Sequence, residues 1–510
     1  MLRRGDLGDV VAGASRLLVA ARPWMPSTLL AARRHGLTYA ALASLAAARD
    51  PDAVALVDDD GPMTYAELDR RADALAATLP RDARRVGLLC RNGRAFVVAV
   101  VAVSRAGADV VLLNSDLAAP EVDVVVAAER VDLVLVDGDD VPRPTTGVEV
   151  RDLRSLAVVA AGVSSGGAAR GTRRRGRIVV LTSGTTGPAK GAHLSAIRVG
   201  QAVPVTTLVS RVPWRKGAPL VVTSPLFHGF ALGFLALGLA LGLPVVMSRR
   251  FDADGVARTV ACSPGCVLVG VPPVLSRLAS VGRAAPAAVI SGAGLLHPSV
   301  ASRVMDAFGP VLFNMYGSSE EGWSTLATPA DLVAAPGTIG RPAAGIRIEV
   351  LDDDGSPVAD GAVGHLCVSS RLEFAHYTGG GRRVRLAGLP DSGDLGHRDA
   401  SGLLFVDGRA DDLVVTGGEN VFLTEVENVL LAHPGVLDVR VDGVPDEEYG
   451  VRLEAYAVPA AGVTADELVE SLRAHAVARL ARFKQPRAVH VVESLPQTAT
   501  GKHRRPPRTS

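Results

Sequence analysis

Cysteine and lysine are scarce in this 510-residue chain, and no sign of charge predominates. The four cysteines, Cys90, Cys262, Cys266 and Cys367, include no C-x-x-C pair. That argues against a disulfide scaffold or a structural zinc site and fits a reducing cytoplasm. Lys plus Arg total 54 against 53 for Asp plus Glu, a formal net charge of +1, so a chain that coats nucleic acid or anionic lipid is not expected. A cleavable leader is not expected: Met1-Leu2-Arg3-Arg4 is soon followed by Asp6 and Asp9, with no apolar core ending in a small-residue cleavage site. Residues Leu226 to Ser248 carry no Asp, Glu, Lys or Arg, but Gly229, Gly233, Gly238, Gly242 and Pro244 interrupt them. They read as a buried Gly-rich core helix rather than a membrane span. Peripheral membrane contact and a homodimer are both compatible with this composition.

What is present is a large apolar share, 48%, with 21% charged residues, which excludes a largely disordered protein. The length exceeds what one hydrophobic core supports, so at least two domains are expected. Thr64-Tyr65-Ala66-Glu67 reads as a capping box before an amphipathic run to Leu79. Val86 to Cys90, Val110 to Asn114 and Asp132 to Val136 read as strands, with helices over Arg94 to Arg105 and Pro120 to Arg130 between them. Short apolar strands separated by helices predict a parallel sheet covered on both faces. Ala161 to Arg177, rich in Gly and Arg and without an aromatic residue, reads as a solvated loop. After Arg409 the pattern changes to a small α+β unit of roughly 100 residues, including a helix capped at Thr464. The expectation is an α/β protein: a large N-terminal domain of stacked parallel-type α/β subdomains over residues 1–408, and a small mobile α+β domain over 409–510.

Only Lys190, Lys216, Lys484 and Lys502 are lysines; the other 50 basic residues are arginines. Where a generic positive charge suffices the chain uses Arg, so each Lys points to the chemistry of a compact ammonium. Lys190 ends the strongest local signal, Thr182-Ser183-Gly184-Thr185-Thr186-Gly187-Pro188-Ala189-Lys190-Gly191, directly after the strand-like Ile178-Val179-Val180-Leu181. Three glycines, several hydroxyls and exposed N–H groups suit a polyphosphate. The spacing is not Walker A, which needs Gly at Ala189 and a hydroxyl at Gly191.

Further elements follow in order: Asn314-Met315-Tyr316-Gly317-Ser318-Ser319-Glu320, Ser392-Gly393-Asp394, Gly408-Arg409-Ala410-Asp411, Val415-Thr416-Gly417-Gly418-Glu419-Asn420 and Thr500-Gly501-Lys502. With the Ser/Thr/Gly loop they resemble the adenylate-forming superfamily of acyl-CoA synthetases, luciferases and peptide-synthetase adenylation domains. Thr64 to Leu68 and Leu112-Leu113-Asn114 resemble its fatty-acyl-CoA synthetase branch. The resemblance implies ATP and CoA as co-substrates, Mg²⁺ as cofactor, and a fatty acid of medium or long chain as the acid.

The same resemblance implies roles. Thr182, Ser183, Gly184, Thr185, Thr186, Gly187 and Lys190 would hold the β- and γ-phosphates, and Glu320 would ligate Mg²⁺. Ser319 keeps a hydroxyl where the family has Thr. Gly317 and Ser318 belong to the same element. Tyr316 would stack on adenine, with Asn314 nearby and Gly292-Ala293-Gly294 passing beside it. Asp394 would accept from the ribose hydroxyls, and Arg409 would meet the ribose and phosphate edge. Lys502 would bridge the carboxylate and the α-phosphate, although His503-Arg504-Arg505-Pro506-Pro507 departs from the family's apolar–basic continuation. Asp411 falls at the hinge position, and Gly417 and Gly418 at the pantetheine tunnel. Lys484 has a family reading and a surface reading. His228 and Gly229 fall at the acyl pocket, with a core histidine as the other reading for His228. Two other functions fit the same residues: a fatty acyl-AMP ligase loading a carrier protein, and an inactive adenylate-binding homologue.

Overall fold

The computed structural model describes residues 6–21, 36, 38–155, 174–182, 190–194, 202–282, 284–318, 321–370, 384–416, 419–446 and 450–496. A large mixed α/β N-terminal domain is followed by a small C-terminal one. The N-terminal domain is built on two sheets. The six-stranded sheet runs Glu149–Asp152, Leu133–Val136, Arg85–Leu89, Asp109–Leu112, Ile178–Thr182 and Lys190–Leu194. Its first five strands are parallel, as the apolar runs predict, and the last is antiparallel, so Thr182 pairs with Lys190 at one edge. The Arg94–Ala106 helix is almost wholly buried and packs against strands of both sheets.

The second sheet has 14 strands. One half is parallel: Val54–Asp58, Val245–Val246, Leu220–Val222, Val267–Gly270, Ala288–Ser291 and Leu312–Ser318 follow one another. Beyond Leu312–Ser318 every step becomes antiparallel, through Gly322–Ala327, Thr338–Pro342, Leu404–Arg409, Leu389–Arg398, Gly364–Ser369 and Arg347–Leu351. Strands parallel to their neighbours need crossovers, and helices supply them; the antiparallel half needs only turns.

The uncharged stretch after Pro225 forms a helix shorter than its composition suggests, Gly229–Leu241. Gly242 ends it at φ 71° with a left-handed cap, and Pro244 follows. Among the described residues no helix is long and apolar enough to cross a membrane. The Arg/Gly stretch lies outside the described residues up to Arg173.

The two sheets meet through polar groups. Asn92, at the end of the Arg85–Leu89 strand, donates to the Ser224 carbonyl (3.0 Å) and accepts from Leu226 N (2.7 Å). Arg249 from the large sheet donates to the buried Asp137 (2.6 Å) and to Asp140 of the small one. The Arg249 hydrogen bond pulls the Asp140 carboxyl down to about 2 from 3.8. A depressed carboxyl stabilises the fold above its unfolded value and loses that contribution as pH falls from 3.8 towards 2. Replacing Arg249 with Ala is expected to destabilise the protein by about 2 kcal/mol at neutral pH, since Asp137 loses a charged donor. The midpoint of acid unfolding should move up by roughly half a pH unit, read by circular dichroism.

The C-terminal domain contains a hairpin, Leu413–Thr416 with Glu419–Phe422, and a sheet of Val436–Asp446, Gly450–Pro459 and Ala488–Val491. The helices Leu423–Leu431 and Ala465–Arg479 cover it, the second opened by the Thr464–Glu467 capping box. Its apolar side continues the core around the Pro298–Phe308 helix, and His297 meets Asn428 there.

Candidate functional site

The carboxyl end of the parallel half-sheet, where pairing turns antiparallel, gathers most of the described candidates. Ser291 pairs with Asn314, so Gly292-Ala293-Gly294 leaves one strand beside the strand carrying Tyr316. The open edge beyond parallel strand ends is where α/β sheets bind ligands. Asn314 itself faces inward, 3% exposed, and its side-chain amide donates to the Thr338 carbonyl (3.2 Å). It ties the sheet together beneath the site.

Tyr316 donates its hydroxyl to Asp394 Oδ2 at 2.6 Å, and Arg409 Nη1 donates to Asp394 Oδ1 at 3.1 Å. The two strands Leu389–Arg398 and Leu404–Arg409 set the second contact, because Asp394 and Arg409 are cross-strand partners. The Arg409 side chain is 45% exposed, so the pair contributes little stability by itself but holds the carboxylate in one orientation. Burial, reinforced by the Asp394 and Glu321 carboxylates, pushes the Tyr316 hydroxyl well above its usual value of 10. Tyr316 therefore stays a donor across the physiological range. An ionised carboxylate is acceptor-only, with about four lone-pair sites, so it can serve several donors at once.

Close backbone packing shapes the rest. A Cβ on Gly317 would lie 2.2 Å from the Gly322 carbonyl oxygen, where the hairpin bulges between Tyr316 and Gly317. A Cβ on Gly292 would lie 2.5 Å from the Phe230 ring, which sits over that backbone and meets Phe234 edge to face. Ala293 takes φ 61°, a left-handed conformation uncommon for alanine. His228 stands at the position before the Gly229–Leu241 helix without capping it through its side chain, half-buried, with its ring against Phe227; Gly229 is exposed with nothing near its Cβ position. Ser318 accepts from the Glu321 amide (3.2 Å).

Ser183, Gly184, Thr185, Thr186, Gly187, Ser319, Glu320, Gly417, Gly418 and Lys502 lie outside the described residues. Thr182, Lys190 and Asp411 are described in their backbone only: the first two as paired strand ends, Asp411 within the Ala410–Asp412 turn. Lys484 is half-buried, its ammonium paired with Glu425 at 2.6 Å. Among the described residues no group of His, Cys, Asp and Glu could hold a metal ion.

Sequence reasoning missed Phe230, Trp323 and Glu321. Phe230 and Phe234 stand four apart on a helix, a visible pair whose target, Gly292, was not readable. Trp323 packs half-buried against two cores, and Glu321 is fully buried next to Tyr316. A second glutamate after Glu320 gave no sign of burial.

Tyr316→Phe keeps the ring and removes the donor to Asp394. Losing that bond is expected to cost about 1 kcal/mol of stability, measured by denaturant unfolding; unchanged stability would show that the hydroxyl does not matter.

Residues 44–378 match the family described as AMP-binding enzyme, and residues 425–502 match the AMP-binding enzyme C-terminal domain. The chain is 35% identical over 340 residues to a sulfoacetate–CoA ligase of Cupriavidus necator, covering 64% of this chain and 65% of that enzyme. It is 30% identical over 473 residues to a feruloyl-CoA synthase of Amycolatopsis sp, covering 89% and 94%. With a long-chain-fatty-acid–CoA ligase of Mycobacterium tuberculosis the identity is 28%, over 87% and 92% of the two chains. The structure of o-succinylbenzoate CoA synthetase from Bacillus subtilis, in complex with its acyl-adenylate intermediate, matches with a TM-score of 0.76 and 25% identity, over 91% and 96%.

Proposed function

Because this chain belongs to the AMP-binding enzyme family, we propose that it is an AMP-forming ligase that joins a carboxylic acid to coenzyme A. The observation that carries the reading is the Tyr316–Asp394–Arg409 constellation, a fixed carboxylate beside an aromatic ring at the sheet's carboxyl edge. A carboxylate is a poor electrophile because its leaving group would be oxide. In the first step its oxygen attacks the α-phosphorus of ATP and diphosphate leaves. In the second a thiolate attacks the acyl carbonyl and AMP departs.

The first step brings two anions together, so positioning and charge stabilisation dominate. Asp394 accepts from the ribose hydroxyls, Tyr316 offers its ring to adenine, and Arg409 faces the ribose–phosphate edge. Gly292-Ala293-Gly294 lets the adenine pass close to the backbone. The segment from Thr182 to Lys190 receives the β- and γ-phosphates, and Lys502 bridges carboxylate and α-phosphate. A lone carboxylate suits Mg²⁺, which keeps phosphate oxygens and water as its other ligands; Glu320 would hold it, and it would neutralise charge on the departing diphosphate. We place the domain boundary at 408/409 and the hinge at Asp411, with Gly417 and Gly418 beside the pantetheine path.

For the acid, the uncharged helix Gly229–Leu241 and the absence of charge from Leu226 to Ser248 favour an apolar body, a fatty acid of medium or long chain. The Phe230 ring lying over Gly292 favours a second reading, a flat aromatic acid. A diphosphate-release screen across alkanoic acids of graded length and arylalkanoic acids, with and without CoA, decides between them. Release with no acid in the panel would overturn the assignment. Acyl-AMP formed but passed only to a carrier-protein phosphopantetheine would replace CoA as acceptor.

A further inference from the structure

The strand carrying Asp394 leaves its ladder at that residue. Against the strand Gly364–Ser369, Leu395 pairs with His365 and Asp391 with Cys367. Four steps on one strand therefore oppose two on the other, and Ser392-Gly393-Asp394 bulges outward, as inserted residues must. Gly393 takes φ 78° within it, a conformation in which a side chain is strained. A bulge of this kind keeps one shape only if its polar groups are fixed.

Asp391 does much of that fixing. Its Oδ1 accepts the Gly393 N–H at 2.9 Å, while the Ser392 hydroxyl accepts the Asp394 N–H at 3.1 Å. The other carboxylate oxygen of Asp391 lies 3.1 Å from His365 Nδ1. His365 Nε2 in turn lies 3.0 Å from Asp353 Oδ1. Exposure falls along this row, from 97% at the Asp353 side chain to 20% at His365 and 10% at Asp391. The row leads from the surface to the bulge, and the bulge ends at the carboxylate gripped by Tyr316 and Arg409.

We propose that His365 is a positioning residue for nucleotide recognition: through its Nδ1 contact it holds Asp391, which locks the bulge that aims Asp394 at the ribose. The proposal rests on the reading of Asp394 as the ribose acceptor. Asp353, almost fully exposed, orients the ring and contributes less.

The test compares binding of AMP and of 2′,3′-dideoxy-AMP to the full chain by calorimetry. The unaltered protein should favour AMP, since the dideoxy nucleotide offers Asp394 nothing. His365→Ala should weaken AMP about tenfold and leave the dideoxy nucleotide within about twofold. His365→Asn, whose amide falls where Nδ1 lies, should restore AMP binding, whereas His365→Gln, whose amide falls nearer Nε2, should not. A general loss of structure would weaken both nucleotides alike, and that result, or no change in either, overturns the proposal. If His365→Ala does not fold, the Asn and Gln variants carry the comparison, and equal behaviour of the two overturns it. An unaltered protein that binds both nucleotides equally removes the ribose role of Asp394 and this proposal with it; discrimination lost in Asp394→Ala but kept in the His365 variants leaves the ribose role standing and removes this proposal alone.

Discussion

Asp394→Ala is expected to lose roughly 3 kcal/mol of AMP binding, about a hundredfold in affinity. Two effects act together. The ribose would lose a charged acceptor, and the half-buried Tyr316 hydroxyl and the Arg409 guanidinium lose their common partner. A hydrogen bond to a charged group contributes about 1.5–3 kcal/mol. Asp394→Asn should fall between, because the amide oxygen still accepts while the charge facing Arg409 is gone. Calorimetry with AMP measures both, and a thermal melt checks that the fold survives. AMP binding unchanged in Asp394→Ala would remove the carboxylate from the nucleotide site.

Lys502→Ala is expected to slow acyl-AMP formation about a thousandfold, the scale on which removing one preorganised charge from a transition state acts. Transfer from preformed acyl-AMP to CoA should stay largely intact. The composition sharpens this prediction. Arg504 and Arg505 stand two and three positions later in a chain with 50 arginines, yet residue 502 is Lys. Lys502→Arg should therefore remain slow, because a planar fork cannot replace a compact ammonium between two anions. Rapid-quench assays of diphosphate release, beside acyl transfer from synthetic acyl-AMP, separate the two half-reactions. Equal loss in both would contradict the role.

Much of this architecture is legible in residue order. The alternating apolar strands and helices up to Val136 correspond to the parallel sheet, within a residue or two at their ends. The glycine-interrupted stretch after Leu226 does form a helix of the core. Periodicity has no means of showing that Thr338–Pro342 joins Leu404–Arg409 and so extends the antiparallel half across to the strand of Asp394. Local pattern sees neighbours in the chain, whereas that pairing spans more than sixty residues and is decided by packing.

The site divides in the same way. Tyr316, Asp394 and Arg409 stand out in their motifs, but their mutual contact depends on strand register across 78 residues. Alanine at 293 gives no hint of a left-handed backbone, since its ordinary preference is helical. Nor does a solitary His365 announce its carboxylate neighbours, which reach it from a turn and from the opposite strand.

The position of Arg409 has one more consequence. It closes the last strand of the antiparallel half-sheet, and the next residue begins the turn leading into the C-terminal domain. On the proposed assignment, the clamp on the nucleotide sugar and the swivel between the lobes would be consecutive links of one chain. A sugar seated on Asp394 would brace the swivel from the side of the large lobe, and its departure would slacken that brace. Turnover and lobe rotation would then share a single mechanical joint, tightened at the start of each cycle and loosened at its end.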